Sequence, residues 1–346
     1  MTATPSTPPT SPAETPGAPL RIGVLGAARI APSALIRPAA KLPAAVVTAV
    51  AARDPERARS FAAKHGIGTV HPDYQALLDD PDLDAVYNPL PNALHAEWTL
   101  KALAAGKHVL CEKPFTANAA EARAVADAAE ASGRVVMEAF HYRYHPLAAR
   151  LREIVDSGEL GTIRSVRTAM CFPLPVFGDI RYSYPLGGGA LMDGGCYALH
   201  LLRLLGGAAQ GTPEVVSAEA KLHGPDVDRA MTAELRFPGG ASGRITASLW
   251  SRRLLDFSAT VRGDAGELRV VNYLAPQLFH RLTVRTAAGR RRERVPGGHT
   301  YTYQLRAFTE AVLNGGPVLT PAEDAVATMG LIDDVYRAAG LRPRGQ

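Results

Sequence analysis

Residues 105–114, AGKHVLCEKP, constrain this chain more than any other stretch. Gly106 closes a helical pattern, and Val109, Leu110 and Cys111 form the short, wholly apolar run that a buried parallel strand requires. Glu112, Lys113 and Pro114 follow at its carboxyl end. Pro114 has no backbone donor and a fixed φ, so it stops the strand and holds Lys113 extended at the rim. Ligands of open α/β sheets bind at that rim. A cis Lys113–Pro114 bond is expected here, because only X–Pro bonds reach that isomer cheaply. Alone, Glu-Lys-Pro reads more readily as a solvated turn, so the rest of the chain decides.

Between residues 20 and 136 short apolar runs (RIGVLG, VVTAVAA, DAVYN, KHVLC, RVVMEA) alternate with helical segments such as ERARSFAAKHG. That alternation predicts an α/β Rossmann domain, a doubly wound parallel sheet. After a helix near 147–157 the pattern changes to long alternating strands with Pro-Gly-Gly and Gly-Asp turns, which predict an α+β domain with an open, mainly antiparallel sheet. The expected division is a disordered leader at 1–19, a dinucleotide-binding domain at 20–145, and a substrate-binding and oligomerisation domain at 146–346 ending in a helix at 321–339. A chain of 346 residues is long enough for two cores.

Composition narrows the function classes. No apolar run is long enough to span a bilayer. The leader, rich in Pro, Thr and Ser, has no Lys or Arg before Arg21 and no apolar core, so no export signal is read and a cytoplasmic location is expected. Three cysteines without C-x-x-C spacing give no support to a metal site. The formal charge of +5 is spread along the chain except at Arg290, Arg291, Arg292 and Arg294, which read as a solvated hairpin. Neither a nucleic-acid nor a membrane partner is expected.

The first strand ends in Gly26-Ala27-Ala28-Arg29-Ile30-Ala31, a G-x-G-x-x-G/A dinucleotide fingerprint with Ala28 in place of the middle glycine. Gly26 makes the turn, and the amides at the helix start face a pyrophosphate. The second strand runs into Ala52-Arg53-Asp54 without an acid at its tip. A free ribose 2'-hydroxyl calls for an acid there, whereas Arg53 suits a 2'-phosphate, so NADP is expected, with NAD possible. Asp54 reads as the cap of a helix opening at Pro55.

Asn88-Pro-Leu-Pro-Asn-Ala-Leu-His95, Cys111-Glu-Lys-Pro-Phe115 and Gly187-Gly-Gly-Ala-Leu-Met-Asp-Gly-Gly-Cys-Tyr197, with the phosphate turn, resemble the glucose-fructose oxidoreductase/inositol dehydrogenase (Gfo/Idh/MocA) family. The likeness is to its branch of dimeric dihydrodiol dehydrogenases and NADP-dependent xylose dehydrogenases. It implies hydride transfer between nicotinamide and a carbinol or carbonyl carbon of a sugar or cyclic diol. It places Gly26, Ala27, Ala28, Arg29, Ile30, Arg53, Asn88, Asn92, His95, Glu112 and Lys113 at the cofactor. Tyr197 stands where much of the family has a catalytic histidine; His200, three residues on, is not that position.

On a helix Asp193 and Tyr197, four apart, share a face. Tyr197 is then the acid/base, Lys113 the cation that lowers its pKa, and Asp193 the group that orients the lysine or a substrate hydroxyl. Asn92 reads equally as a helix cap, and His95 equally as a packing residue. His141, Arg143, Asp179, Arg181 and Tyr182 are expected at the substrate. Two rivals remain: redox-assisted elimination or deglycosylation with the same cofactor, and a non-catalytic sensor. A homodimer or homotetramer is expected through the second-domain sheet, where strand SGRITASLW leaves Trp250 on the outer face.

Overall fold

The computed structural model describes residues 18–207, 211–250 and 252–346. Most of the proposed leader, residues 1–17, lies outside the described residues.

The first sheet has six parallel strands: β1 (Leu20–Leu25), β2 (Ala45–Ala51), β3 (Thr69–His71), β4 (Ala85–Asn88), β5 (His108–Cys111) and β6 (Val136–Glu138), in the order β3-β2-β1-β4-β5-β6. Strand order reverses between β1 and β4, and this reversal opens the crevice in which such sheets bind ligands. β4 is buried throughout, as its apolar run AVYN foretells. The crossovers are a π turn (Pro32–Ile36) running into α1 (Arg37–Ala39), then α2 (Pro55–His65), α3 (Tyr74–Leu78), α4 (His95–Ala104) and α5 (Ala119–Ser132). Asp54 caps α2, accepting from the amides of Glu56 and Arg57 at 3.0 and 3.3 Å. The Lys113–Pro114 bond is cis, as expected.

α6 (Pro146–Asp156) leads into the second sheet: β7 (Ile163–Cys171), β8 (Glu214–His223), β9 (Val227–Arg236), β10 (Ser242–Ser248), β11 (Asp256–Gly263), β12 (Gly266–Val271), β13 (Arg281–Thr286) and β14 (Gly289–Glu293). Its order is β14-β13-β12-β11-β7-β10-β9-β8, antiparallel except where β10 runs parallel to β7. One face packs on α7 (Cys196–Gly206), burying Val166, Ile245, Ala247, Val261 and Leu268. Gly194 and Gly195 permit this approach: a Cβ on Gly194 would lie 3.2 Å from the carbonyl of Met170.

The chain then returns to its beginning. α8 (Thr300–Asn314) places Leu305 and Phe308 in one core with Ile22, Val24 and Leu110 of the first sheet. The backbone around Pro321 bridges to Met137 on β6, and α9 (Ala322–Ala338) follows. The last 47 residues thus complete both domains, which strand periodicity does not reveal.

The other sheet face carries Trp250, as SGRITASLW predicts, but is dominated by arginines. Trp250 is 38% exposed at one end, but cross-strand pairing puts exposed Arg167, Arg269, Arg281, Arg285, Arg290 and Arg292 on the face itself. Arg290, Arg291 and Arg292 lie on edge strand β14, which forms a hairpin with β13, and Arg294 follows it.

Candidate active site

A cleft of about 1050 Å³ runs along the ends of β1, β2, β4 and β5 and beneath the second sheet. Its wall changes chemistry along its length. At one end stand Arg53 and Arg57, in the middle the turn Gly26–Ile30, and at the other end Glu112, Lys113, His141, Asp193, Tyr197 and Tyr301.

Gly26 takes φ of +94°, a left-handed conformation that a Cβ would strain, and its amide donates to the carbonyl of Ala51 at 2.7 Å. Ala28 stands half-buried against the cleft, and Ala31 is fully buried where the helix meets the sheet. Arg57, which sequence reading missed, donates from Nη2 to the carbonyl of Ala27 at 2.9 Å and so ties α2 to the turn. Its signal was its place four residues after Arg53, in the first turn of α2. Guanidiniums, glycine turn and helix start form the sequence of groups that an adenosine 2'-phosphate and a pyrophosphate need, and a volume at the top of the usual ligand-pocket range accommodates them.

At the far end Lys113 Nζ donates to Asp193 Oδ1 at 2.9 Å and to the carbonyl of Asp193 at 3.0 Å. Asp193 does not sit on a regular helix. It lies in a π turn (Leu191–Gly195) that feeds α7, and Tyr197 occupies the first turn of α7. Burial opposes both charges, but each is held by the other: Asp193 keeps Lys113 above its ordinary pKa, while Lys113 and Arg181 keep Asp193 below its own.

The Tyr197 ring is edge-on to Phe140 at 5.2 Å, with His141 and Tyr142 5.8 and 5.9 Å away. The Lys113 ammonium lies 5.2 Å from the centroid of that ring. Burial, reinforced by Tyr301 and Glu112, pushes the Tyr197 phenol well above the usual tyrosine range. This runs against the expectation of a lowered pKa: burial of the phenol outweighs the neighbouring ammonium, whose direct partner is Asp193. Glu112 accepts from Tyr87 Oη at 2.7 Å, and burial raises its pKa as well.

His141 faces the cleft as a neutral imidazole, its pKa pushed down to about 3 by burial and then by Lys113, with Nδ1 2.9 Å from Thr300 Oγ1. Its ring lies 4.2 Å from that of Tyr301. Tyr301 was not found from sequence, since it opens a helix more than 180 residues beyond Lys113 and matches no motif.

Several expected residues stand away from the cleft or spend their polar groups on the protein's own backbone. Asn88 is fully buried and turned from the cleft, its Nδ2 donating to the carbonyl of His95 at 3.1 Å and to Thr99 at 3.2 Å. His95 reaches the cleft wall, but burial lowers its pKa to about 4 and both ring nitrogens face carbonyls, Pro114 at 2.8 Å and Leu90 at 2.7 Å. It is the tie between those two loops. Asn92 lines the cleft but caps nothing; its Nδ2 donates to the carbonyl of Gly187 at 2.8 Å. Tyr182 turns away, donating to the carbonyl of Leu174 at 2.7 Å with its ring against His223. Arg143 is not among the cleft residues. His200 lies behind the site, its Nδ1 2.5 Å from Tyr142 Oη and its Nε2 3.3 Å from Asp324.

Asp179 and Arg181 do reach the cleft, on a loop from β7. Arg181 Nη1 pairs with Asp179 at 3.0 Å and Nε with Asp193 Oδ2 at 2.9 Å, while Asp179 Oδ2 pairs with Arg29 at 3.0 Å. Among the described residues no cluster of His, Cys, Asp and Glu could hold a metal, and no helix is long and apolar enough to cross a membrane.

Comparison with known proteins meets this geometry. Residues 20–140 match the family described as "Oxidoreductase family, NAD-binding Rossmann fold" and residues 148–269 match the "GFO/IDH/MocA C-terminal domain". D-xylose 1-dehydrogenase (NADP(+)) 2 of Haloferax volcanii is 37% identical over 322 residues, covering 92% of this chain and 97% of the relative. A dTDP-3,4-didehydro-2,6-dideoxy-alpha-D-glucose 3-reductase of Streptomyces violaceoruber is 37% identical over 333 residues, covering 93% and 96%. The structure of KijD10, a 3-ketoreductase from Actinomadura kijaniata, in complex with NADP and TDP-benzene, superposes with a TM-score of 0.85 at 33% identity, covering 94% and 98%. With both domains matched in order, and with relatives aligned over more than nine-tenths of its length, the chain belongs to the GFO/IDH/MocA oxidoreductase family.

Proposed function

We propose that this protein is an NADP-dependent dehydrogenase or reductase acting on the CH–OH or carbonyl carbon of a sugar or cyclic diol, with Tyr197 as the proton donor and acceptor. The observation that carries the reading is the Lys113–Asp193 pair set against the Tyr197 ring at the end of a dinucleotide-shaped cleft. The NADP-linked relatives support it.

Arg53 and Arg57 hold the adenosine 2'-phosphate, and the turn Gly26–Ile30 with the helix behind it holds the pyrophosphate. Bound nicotinamide supplies or accepts the hydride. Tyr197 gives its phenolic proton to the substrate oxygen in reduction and takes one in oxidation. Lys113, fixed by Asp193, offsets the negative charge that develops on that oxygen and on the phenol. His141 and Tyr301 present neutral polar edges to the substrate. Since the phenol ionises only at high pH, kcat for oxidation should still be rising with pH near ~9, whereas reduction, which needs the protonated phenol, should be level there. A level oxidation profile from pH 6 to 9 would assign the proton to another group.

Screening sugars, inositols and trans-diols by NADPH absorbance tests the reading. Net turnover with any of them supports it, and release of a leaving group without net cofactor change would support redox-assisted elimination instead. Arg53→Ala should cut the preference for NADP(H) over NAD(H) about tenfold, as measured by calorimetry; an unchanged preference would remove Arg53 from the site.

We also propose a homodimer through the outer face of the second sheet, its arginines meeting Glu214, Glu219 and Glu234 from the opposite end of the partner's sheet. Light scattering at micromolar concentration should show a dimer that weakens with salt; a monomer at low salt would exclude it.

A further inference from the structure

Five charges of alternating sign link the phosphate turn to the proton site. Arg29 pairs with Asp179 at 3.0 Å, Asp179 with Arg181 at 3.0 Å, Arg181 with Asp193 at 2.9 Å and Asp193 with Lys113 at 2.9 Å. The two carboxylates are the buried links, with side chains 4% and 13% exposed. Each oxygen of Asp193 has its own cation, Lys113 on Oδ1 and Arg181 on Oδ2.

Arg181 is held from its backbone outward. Its amide donates to Asp179 Oδ1 at 3.1 Å, and its carbonyl accepts from the amide of Gly189 at 2.8 Å, two residues before the π turn that carries Asp193. Gly188 permits that contact, since a Cβ there would lie 2.6 Å from the Arg181 carbonyl. Arg181 and Asp193 are therefore joined through the backbone as well as through their side chains. A planar guanidinium can meet two carboxylates from different directions at once, which an ammonium at the end of a flexible stem does poorly.

We propose that Arg181 is a positioning residue: it holds Asp193, and through Asp193 the Lys113 ammonium, while Asp179 ties this unit to the phosphate turn at Arg29. The proposal rests on the reading of Lys113 and Tyr197 as the proton site, and it replaces the sequence-level expectation that Arg181 contacts the substrate. Without Arg181, Asp193 Oδ2 is left buried without a partner. The carboxylate then turns to find one, and Lys113 loses its fixed place. A misplacement of about 1 Å at such a site costs on the order of tens of fold in rate.

Arg181→Ala and Arg181→Lys test this with D-xylose and NADP as probes, beside NADPH fluorescence titration and amine labelling of Lys113 in the protein without ligands. For Arg181→Ala, kcat should fall by about 30-fold, with KM for D-xylose and Kd for NADPH within about threefold of the parent. Labelling of Lys113 should rise several-fold. Added guanidinium should recover part of kcat and part of the protection, and Arg181→Lys should fall between parent and Ala. A tenfold rise in KM at unchanged kcat would make Arg181 a substrate contact and overturn the proposal; so would unchanged Lys113 labelling, which is read without turnover. If Tyr197→Phe is inactive while Arg181→Ala retains full kcat, only the positioning role fails. If Tyr197→Phe retains full activity, the proton-site reading itself fails.

Discussion

Tyr197→Phe should lower kcat by about 100-fold or more while leaving the fold and NADPH binding intact. The substitution keeps the ring, and with it the edge-on contact to Phe140 and the Lys113 ammonium beside the ring. It removes only the hydroxyl, and with it the transferable proton. Lys113→Met should depress kcat similarly and leave Asp193 with Arg181 alone. Because both changes disable one proton transfer, the double variant should be far less impaired than the product of the two single losses. The measurement is steady-state turnover with a deuterated substrate, so that an isotope effect shows hydride transfer to be rate-limiting. Near-parental turnover of Tyr197→Phe under that condition would pass the role to another group, with His141, whose ring lies 5.8 Å from that of Tyr197 in the cleft, the first to test.

The largest loss of stability is expected from a place with no catalytic group. Asp228 and Arg344 form an ion pair at 2.9 Å with both side chains fully buried. Asp228 also accepts from the amide of Leu191 at 2.7 Å and from Tyr336 Oη at 2.9 Å, and Arg344 Nε donates to the carbonyl of Gly188 at 2.7 Å. Gly189, at φ +141°, passes so close that a Cβ would collide with Asp228, Tyr336 and Arg344. Arg344→Met or Asp228→Ala leaves one charge buried alone, which costs about 3–5 kcal/mol. Urea unfolding should show that loss for either variant, and replacing both residues should cost less than the two single losses summed. A change below about 1 kcal/mol for both single variants would mean that the pair is solvated. The network fixes the start of the turn bearing Asp193, so activity should fall in these variants before the fold is lost.

What sequence disclosed and what it hid divide along physical lines. Parallel strands declared themselves as apolar runs, and the phosphate turn as a glycine that must take a positive φ. Lys113 was fixed by its place after β5. The missing parts depend on three-dimensional return. Tyr301 and Arg344 come from a segment with no motif of its own, and Asn88 has the same polarity as a ligand-binding residue but spends it on Thr99 and a backbone carbonyl. The upward shift of the Tyr197 phenol was hidden because proximity to a lysine says nothing of how deeply the ring is buried. The arginines of the outer sheet face are visible only once cross-strand register is known.

The closing segment sets an order in time. Leu305 and Phe308 fill the core beneath β1 and β5, and the backbone near Pro321 bridges to β6. During vectorial synthesis the nucleotide-binding sheet therefore emerges first and waits, one flank of its core exposed, until some 170 further residues have left the ribosome. A fragment ending at residue 145 should bind hydrophobic dyes and resist crystallisation, and adding residues 300–346 as a separate peptide should suppress the dye signal. Cutting this protein at its apparent domain boundary separates two halves of one core.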